Sequence, residues 1–306
     1  MNSEPAWRTA GRRLLRHWSA RCALVVIAFL VVAAVAGVFL HAKAAHQLDI
    51  VRLTNKPPSR AHWLGTDQYS RDLLARVLSG ASVSLAVALL SVAFAMTVGT
   101  VYGLVAGYFG GRLDGFMMRL LDAFLSIPRV LLLIAVLALQ SPVSLGGLIL
   151  LIGATGWFGV SRLVRAETLR ARHLDYVEAA RALGTSDVRI LGRHVLPNIV
   201  APVIVTATLA IGNVIALEAG LSYLGIGAQE PQASWGSIFN EGVEFFAGNW
   251  WVAFFPGVAI VVTVLAFNVL GDALRDVLDP RQLPGADAPN LSAAAPTPSS
   301  RADDNT

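Results

Sequence analysis

The sequence predicts an all-α polytopic membrane protein with about six transmembrane helices, and three observations carry that prediction. Of its 306 residues, 55% are hydrophobic and only 14% charged, where a soluble domain carries about 25% charged residues. Mean hydropathy is correspondingly high, at +0.60. Apolar runs of spanning or near-spanning length recur along the chain. Basic residues also gather between alternate runs, the pattern that arises when Arg and Lys are retained on the inner side of a membrane.

The first run, 22–40, follows a basic front of Arg8, Arg12, Arg13, Arg16 and Arg21 and precedes Ala42-Lys43-Ala44. This imitates a secretory signal, but the run outlasts the roughly 7–15 apolar residues of one. An uncleaved first span is expected. Further runs occupy 83–107, 127–139, 145–160, 199–219 and 250–271. The runs at 127–139 and 145–160 are short and need residues from their flanks to cross. Six of the 24 Lys and Arg (Lys43, Arg52, Lys56, Arg60, Arg71 and Arg76) fall in 41–81, none in 140–148 or 220–249, and the others in the segments that alternate with these. The basic segments, with both chain ends, are assigned to the inner side; 41–81 is then outer despite its charge. The basic pI is attributed to this topology rather than to nucleic acid.

The expected organisation is therefore a basic N-terminus over 1–21, a first span over 22–40, an outer segment over 41–82, and a transmembrane domain over 83–281. A disordered inner tail follows over 282–306, rich in Pro, Ala, Ser and Asp. In the outer segment, 62–79 reads as an amphipathic surface helix capped by Thr66 or Asp67, with Leu73, Leu74, Val77 and Leu78 on its apolar face. Gly99, Gly103 and Gly107 recur at four-residue spacing, so a neighbouring helix can approach that face closely, within the chain or across a dimer. Asp114, Arg119 and Asp122 can share a side of one helix and pair. Arg162, Arg165, Arg170 and Arg172 would hold the end of the fourth span at the anionic inner leaflet.

A polar, basic island at 175–198 interrupts the apolar pattern. Asp175 and Glu178 stand three apart, as in a capping box. Gly184 supplies a left-handed stop, and Pro197 suits the first turn of the next helix. The helix between, about 12 Å long, is marginal alone in water. Its Ala179, Ala180 and Ala182 leave a slim surface that a cleft in another protein could approach. Beyond it, Asn213 and Glu218 end the fifth span, where an intramembrane carboxylate is costly enough to be a functional candidate. Glu218 either anchors the span at the outer interface or belongs to a translocation path. The outer loop 221–249 lacks Lys and Arg, and Trp250 and Trp251 fit an interfacial aromatic belt.

Catalysis by this chain is not expected. There is no GxxxxGK[ST] phosphate loop, HExxH or GxSxG. Cys22 is the only cysteine, which excludes an intramolecular disulfide or a cysteine-clustered metal site. The six histidines are scattered, outside the expected spans.

Three motifs carry a family resemblance. Glu178-Ala179-Ala180, Gly184 and Leu196-Pro197 resemble the EAA loop of bacterial ABC importer permeases. Leu64, Gly65, Thr66, Asp67, Arg71 and Asp72 resemble the LGTDxxGRD signature of the dipeptide, oligopeptide and nickel branch, with Ser70 in place of the usual glycine. The run 267–281, FNVLGDALRDVLDPR, resembles the end of that branch. The resemblance implies a type I importer permease fold in the bacterial inner membrane, with both termini cytoplasmic, that forms a path for a peptide-like solute. It implies that Asp175, Tyr176, Glu178, Ala179, Ala180, Arg181, Gly184 and Pro197 belong to a coupling loop docked on an ATPase subunit. It also implies a homologous second permease making a heterodimer, two ABC ATPases that bind ATP and Mg, and a periplasmic solute-binding protein. No cofactor is expected on this chain. The alternative is a secondary transporter or channel driven by an ion gradient; it needs ionisable residues deep in the spans, for which Glu218 is the one good candidate.

Overall fold

The structure, a computed structural model, describes residues 11, 14–46, 49–139, 144–229 and 232–278. The expected tail at 282–306 and the first ten residues lie outside that set. Among the described residues the chain forms α1 (Trp18–Ala45), α2 (Ile50–Leu53), α3 (Leu73–Phe109), α4 (Gly111–Leu125), α5 (Arg129–Leu139), α6 (Leu145–Ala171), α7 (Asp175–Ala182), α8 (Asp187–Ile190), α9 (Leu196–Tyr223), α10 (Trp235–Glu244) and α11 (Phe246–Leu278). Five helical stretches, Trp18–Leu40, Leu73–Phe109, Leu145–Ala171, Asp187–Tyr223 and Phe246–Leu278, are long and apolar enough to cross a membrane.

The expected third span is met only by a bent pair, α4 with α5, which together are apolar enough to count as a sixth, broken span or a re-entrant loop. Pro128 cannot donate into a helix, and α4 and α5 meet there at a 70° bend. That leaves α5 as 11 residues, roughly 16 Å of helix against a hydrocarbon core of about 30 Å. The fourth run does recruit its flanks, becoming the 27-residue α6 with Ser144 as N-cap, its side chain accepting from Gly147 N at 3.1 Å.

Apolar burial gives little drive between helices already in lipid, so contact depends on how closely backbones approach. The central crossing is α3 against α6. A Cβ on Gly99 would stand 2.7 Å from Val160 Cβ, one on Gly103 2.6 Å from Ser161 O, and one on Gly107 2.7 Å from Thr168 Cβ. The glycine face thus meets another helix of the same chain. At Gly37 of α1 a Cβ would run into the backbone of Leu78, so α1 crosses α3 equally tightly.

The outer segment departs from its expected form. Residues 62–72 are turns rather than an amphipathic helix; the helix starts at Leu73, capped by Asp72, and runs unbroken to Phe109. Leu73 is fully buried. Asp67 caps no helix; its Oδ1 accepts from Tyr69 N at 2.9 Å and Arg71 N at 2.8 Å within the turn, and it is buried with Arg71 and Arg76. Arg71 Nε donates to Asp67 Oδ2 at 2.6 Å and Arg71 Nη2 to Glu241 Oε2 at 2.9 Å. Arg76 bridges the same carboxylates, donating from Nη1 to both and from Nη2 to Glu241 Oε1, each at 2.9 Å. Two of the six cations that contradicted the charge bias are therefore neutralised inside the fold. Trp251 closes the same assembly: it is buried and donates from Nε1 to Thr66 O at 3.1 Å, whereas Trp250 is 48% exposed. Only Trp250 is thus placed for the expected belt.

Ser70, where the family signature has glycine, lies at φ +58°, a left-handed conformation that costs a non-glycine residue about 1–2 kcal/mol. Its hydroxyl shares a 2.9 Å hydrogen bond with Thr54 Oγ1 and donates to Asp49 O at 3.3 Å, which offsets part of that cost. Ser70→Val is expected to lose both hydrogen bonds and worsen the strain, lowering stability by about 2 kcal/mol, read as a fall in thermal midpoint in detergent. Ser70→Gly should stay within about 1 kcal/mol of the parent.

Candidate functional site

At the end of the bundle opposite α10, the descending α6 turns through residues 172–174 into α7. The turn is held by Arg172, which donates from Nη1 to Gly107 O at 3.0 Å and to Tyr108 O at 3.4 Å, satisfying carbonyls in the last turn of α3. Asp114 takes a two-pronged ion pair from Arg165, with Nη2 to Oδ2 at 2.6 Å, and Asp122 pairs with Arg162. The expected pairing of Asp114 and Asp122 with Arg119 is thus replaced by pairing between helices. Arg162, Arg165 and Arg172 serve as ties between helices.

α7 spans eight residues, as the polar island predicts, but its start differs. Leu174 is the N-cap and no side-chain cap is present; Asp175 and Glu178 both lie in the first turn, where their charge favours the helix dipole. The expected capping box is absent. The stop is as expected: Gly184 has φ +77°, Gly184 N donates to Arg181 O at 3.0 Å and Thr185 N to Ala180 O at 3.1 Å. These two bonds are the Schellman pattern.

One face of α7 is fastened down. Val177 is fully buried and Ala180 is 9% exposed, against Tyr108, Val164, Ile190, Val195 and Ile199. Ala180 therefore faces the bundle, which corrects the expectation that it belongs to the docking surface. Asp175, Tyr176, Glu178, Ala179, Arg181, Ala182 and Gly184 are exposed. Glu178 lies 3.9 Å from His173. The Arg181 guanidinium sits 5.2 Å over the Tyr108 ring, whose hydroxyl donates to Asp187 Oδ1 at 2.6 Å. Tyr176 meets the side chain of Asn198.

The sequence reading passed over two exposed apolar residues beside Gly184: Leu183 is 86% and Val188 82% exposed. Their signal was present, as apolar residues in a polar stretch on either side of the glycine stop. Pro197 is exposed and stands in the first α turn of α9. The helix nonetheless continues from Asp187, through a π turn at Leu191–Val195 in which Leu196 N donates to Leu191 O. The wide turn is a local adjustment ahead of a residue that offers no N–H.

Asn213 and Glu218 do not form one site. Asn213 is exposed, whereas Glu218 is 1% exposed. Ser222 Oγ donates to Glu218 Oε1 at 2.6 Å, Ser84 Oγ stands 3.5 Å from Oε2, and Ser84 Oγ in turn accepts from Trp235 N at 3.1 Å. Glu218 thereby links α9, α3 and the start of α10.

Residues 99–283 match the family of binding-protein-dependent transport system inner membrane components, and residues 6–58 match the N-terminal transmembrane domain of oligopeptide transport permease C. The chain is 40% identical over 282 residues to the dipeptide transport system permease protein DppC of Bacillus subtilis, covering 91% of this chain and 86% of that one. It is 42% identical to a putative peptide transport system permease protein of Brucella abortus (88% and 90% covered) and 41% identical to the glutathione transport system permease protein GsiD of Pectobacterium atrosepticum (90% and 91% covered). The fold resembles an inward-facing structure of the MetNI methionine ABC transporter, with TM-score 0.55 at 21% identity, over 66% of this chain and 96% of that one. With an all-helical bundle among its described residues and matches over most of its length, the chain belongs to the family of inner membrane permease components of binding-protein-dependent ABC importers.

Proposed function

We propose that this chain forms half of a translocation path for a peptide-like solute and that α7 is the element through which ATP hydrolysis on separate subunits drives it. The observation that carries the coupling role is the geometry of α7: a short helix pinned through Val177 and Ala180, ended by Gly184, with every other charged and apolar group of its outer face left exposed. A helix so anchored moves with α6 and α9 as one body. A groove closing around it would therefore tilt the spans themselves, as alternating access requires. In this reading Glu178, Ala179, Arg181 and Leu183 form the docking face on an ATPase, Gly184 fixes its end, and Asp175, Tyr176 and Pro197 shape its approach. ATP and Mg reside on two ATPase subunits. A second, homologous permease completes the path, a periplasmic binding protein delivers solute, and both termini are cytoplasmic. The peptide-like solute follows from the relatives named for dipeptides and glutathione.

Glu178→Lys and Leu183→Glu, each on an exposed side chain, are expected to leave the permease folded but to reduce ATP-driven uptake at least tenfold, since losing one central interface residue costs about 2 kcal/mol or more. The check is uptake into proteoliposomes together with co-purification of the ATPase. Full uptake by both variants would remove α7 from the coupling role.

A further inference from the structure

The bend at Pro128 places a cation where the sequence reading did not look for one. Arg129 opens α5, and its guanidinium turns onto α6: Nε donates to Thr155 Oγ1 at 3.2 Å and Nη2 to Ile152 O at 2.9 Å. Thr155 and Ile152 lie roughly 15 Å and 11 Å along α6 from Leu145, at 1.5 Å per residue, in a helix about 40 Å long. Arg129 thus sits near mid-depth of a spanning helix. A Cβ on Gly156 would approach Nη2 to 3.3 Å, so a glycine keeps the α6 surface clear for it.

The partners of Arg129 are neutral. On the same helix Arg162 meets Asp122 and Arg165 meets Asp114, but no carboxylate among the described residues bonds to Arg129. A charged group at the centre of a bilayer is expensive, by at least about 2.5–3.5 kcal/mol, so an unneutralised one marks a polar cavity. The side chain is also only half-buried. Its accessible part cannot face acyl chains at that depth without the full penalty, which leaves the path or the surface of the second permease. A guanidinium held by two neutral acceptors keeps further N–H groups free and is pre-oriented for a carboxylate.

Building on the peptide-like solute proposed above, we infer that Arg129 is a solute-binding residue of the translocation path, where its guanidinium takes the carboxylate of the passing solute. The contact is transient, since a site that bound too tightly would hold the solute.

The test is uptake by the complete transporter, with its binding protein and ATPases, in proteoliposomes supplied with trialanine or trialanine amide. Loading of each onto the binding protein is measured separately. The parent is expected to favour the free acid by about tenfold more than loading alone predicts, the worth of one charge-assisted hydrogen bond. Arg129→Gln should bring the ratio down to the loading ratio, and Arg129→Lys should keep much of it. A parent ratio equal to the loading ratio overturns the inference without recourse to any variant. So does an equal fall in acid and amide uptake in Arg129→Gln, which would mean that Arg129 meets a fixed group, such as a carboxylate of the second permease. If the parent takes up neither peptide, the peptide reading itself falls, and this inference with it.

Discussion

Arg76→Ala is expected to destabilise the protein by about 3 kcal/mol, the low end of the cost of breaking a buried ion pair, because Arg71 still reaches both carboxylates. Arg76 is 3% exposed and Asp67 is fully buried, and with Arg71 and Glu241 they form one balanced set of two positive and two negative charges in which each arginine pairs with both carboxylates. Removing one cation leaves net negative charge in the interior and takes away one of the ties between α10 and the start of α3; Arg71 to Glu241 and Trp235 Nε1 to Val77 O remain. At 2–4 °C per kcal/mol, the thermal midpoint should fall by on the order of 10 °C. Arg76→Lys should lose less, since it keeps the charge but not the forked hydrogen bonding. An unchanged midpoint for Arg76→Ala would show that the network adds nothing.

The pH dependence of that loss has a defined sign. Burial pushes Glu241 up, but hydrogen bonding and charge from Arg76, charge from Arg71 and the hydrogen bond from Gln68 together hold it below the usual glutamate value. A carboxylate so depressed contributes stability that is fully present above the unfolded pKa of about 4.3 and is lost as pH falls through the folded value. The parent should therefore be insensitive to this group between pH 7 and 5. In Arg76→Ala the main stabiliser of the anion is gone, so Glu241 can take up a proton at higher pH. The deficit of the variant should accordingly shrink as pH is lowered from 7 to 5; a deficit that grows would contradict the assignment.

What the sequence revealed and what it hid divide by range. The Gly99, Gly103 and Gly107 face, the Gly184 stop and the length of α7 depend on residues a few positions apart, where periodicity and turn chemistry act directly. The buried network joins Arg76 to Glu241 across 165 positions, and no local pattern announces such a partner. Its arginines read instead as ordinary exceptions to a charge bias. Ala180 was open to a better reading, because Val177, three residues earlier, is the apolar residue that marks the inward side of α7. Arg129 was counted with the inner basic segment because charge counting places a residue by sequence neighbours. The 70° bend carries it instead against the middle of α6. A proline followed by a cation at the head of an apolar run was the available signal.

Gly103→Leu is expected to abolish accumulation of folded protein. Even the first carbon of a side chain at Gly103 would stand 2.6 Å from Ser161 O and 2.9 Å from Arg165 N, both backbone atoms of α6. Neither can rotate aside, so the helices must separate, and Gly103→Ala alone should cost about 1–3 kcal/mol. Separation would be transmitted in both directions along the crossing. Towards α7 it would pull Arg165 from Asp114 and Arg172 from Gly107 O; towards α10 it would part Ser91 Oγ from Ile149 O, a 2.9 Å hydrogen bond. Because α7 hangs from α6 and rests against Tyr108 of α3, opening this crossing would also release the face that α7 needs to stay pinned. Gly159→Ala is the matched control: it lies on α6 with nothing within 4 Å of the added carbon, and the helix gains about 1 kcal/mol of propensity. Size-exclusion profiles of the three variants in detergent decide the matter. A Gly103→Leu protein that elutes and melts like the parent would mean that α3 and α6 are held apart from this contact and joined by something else.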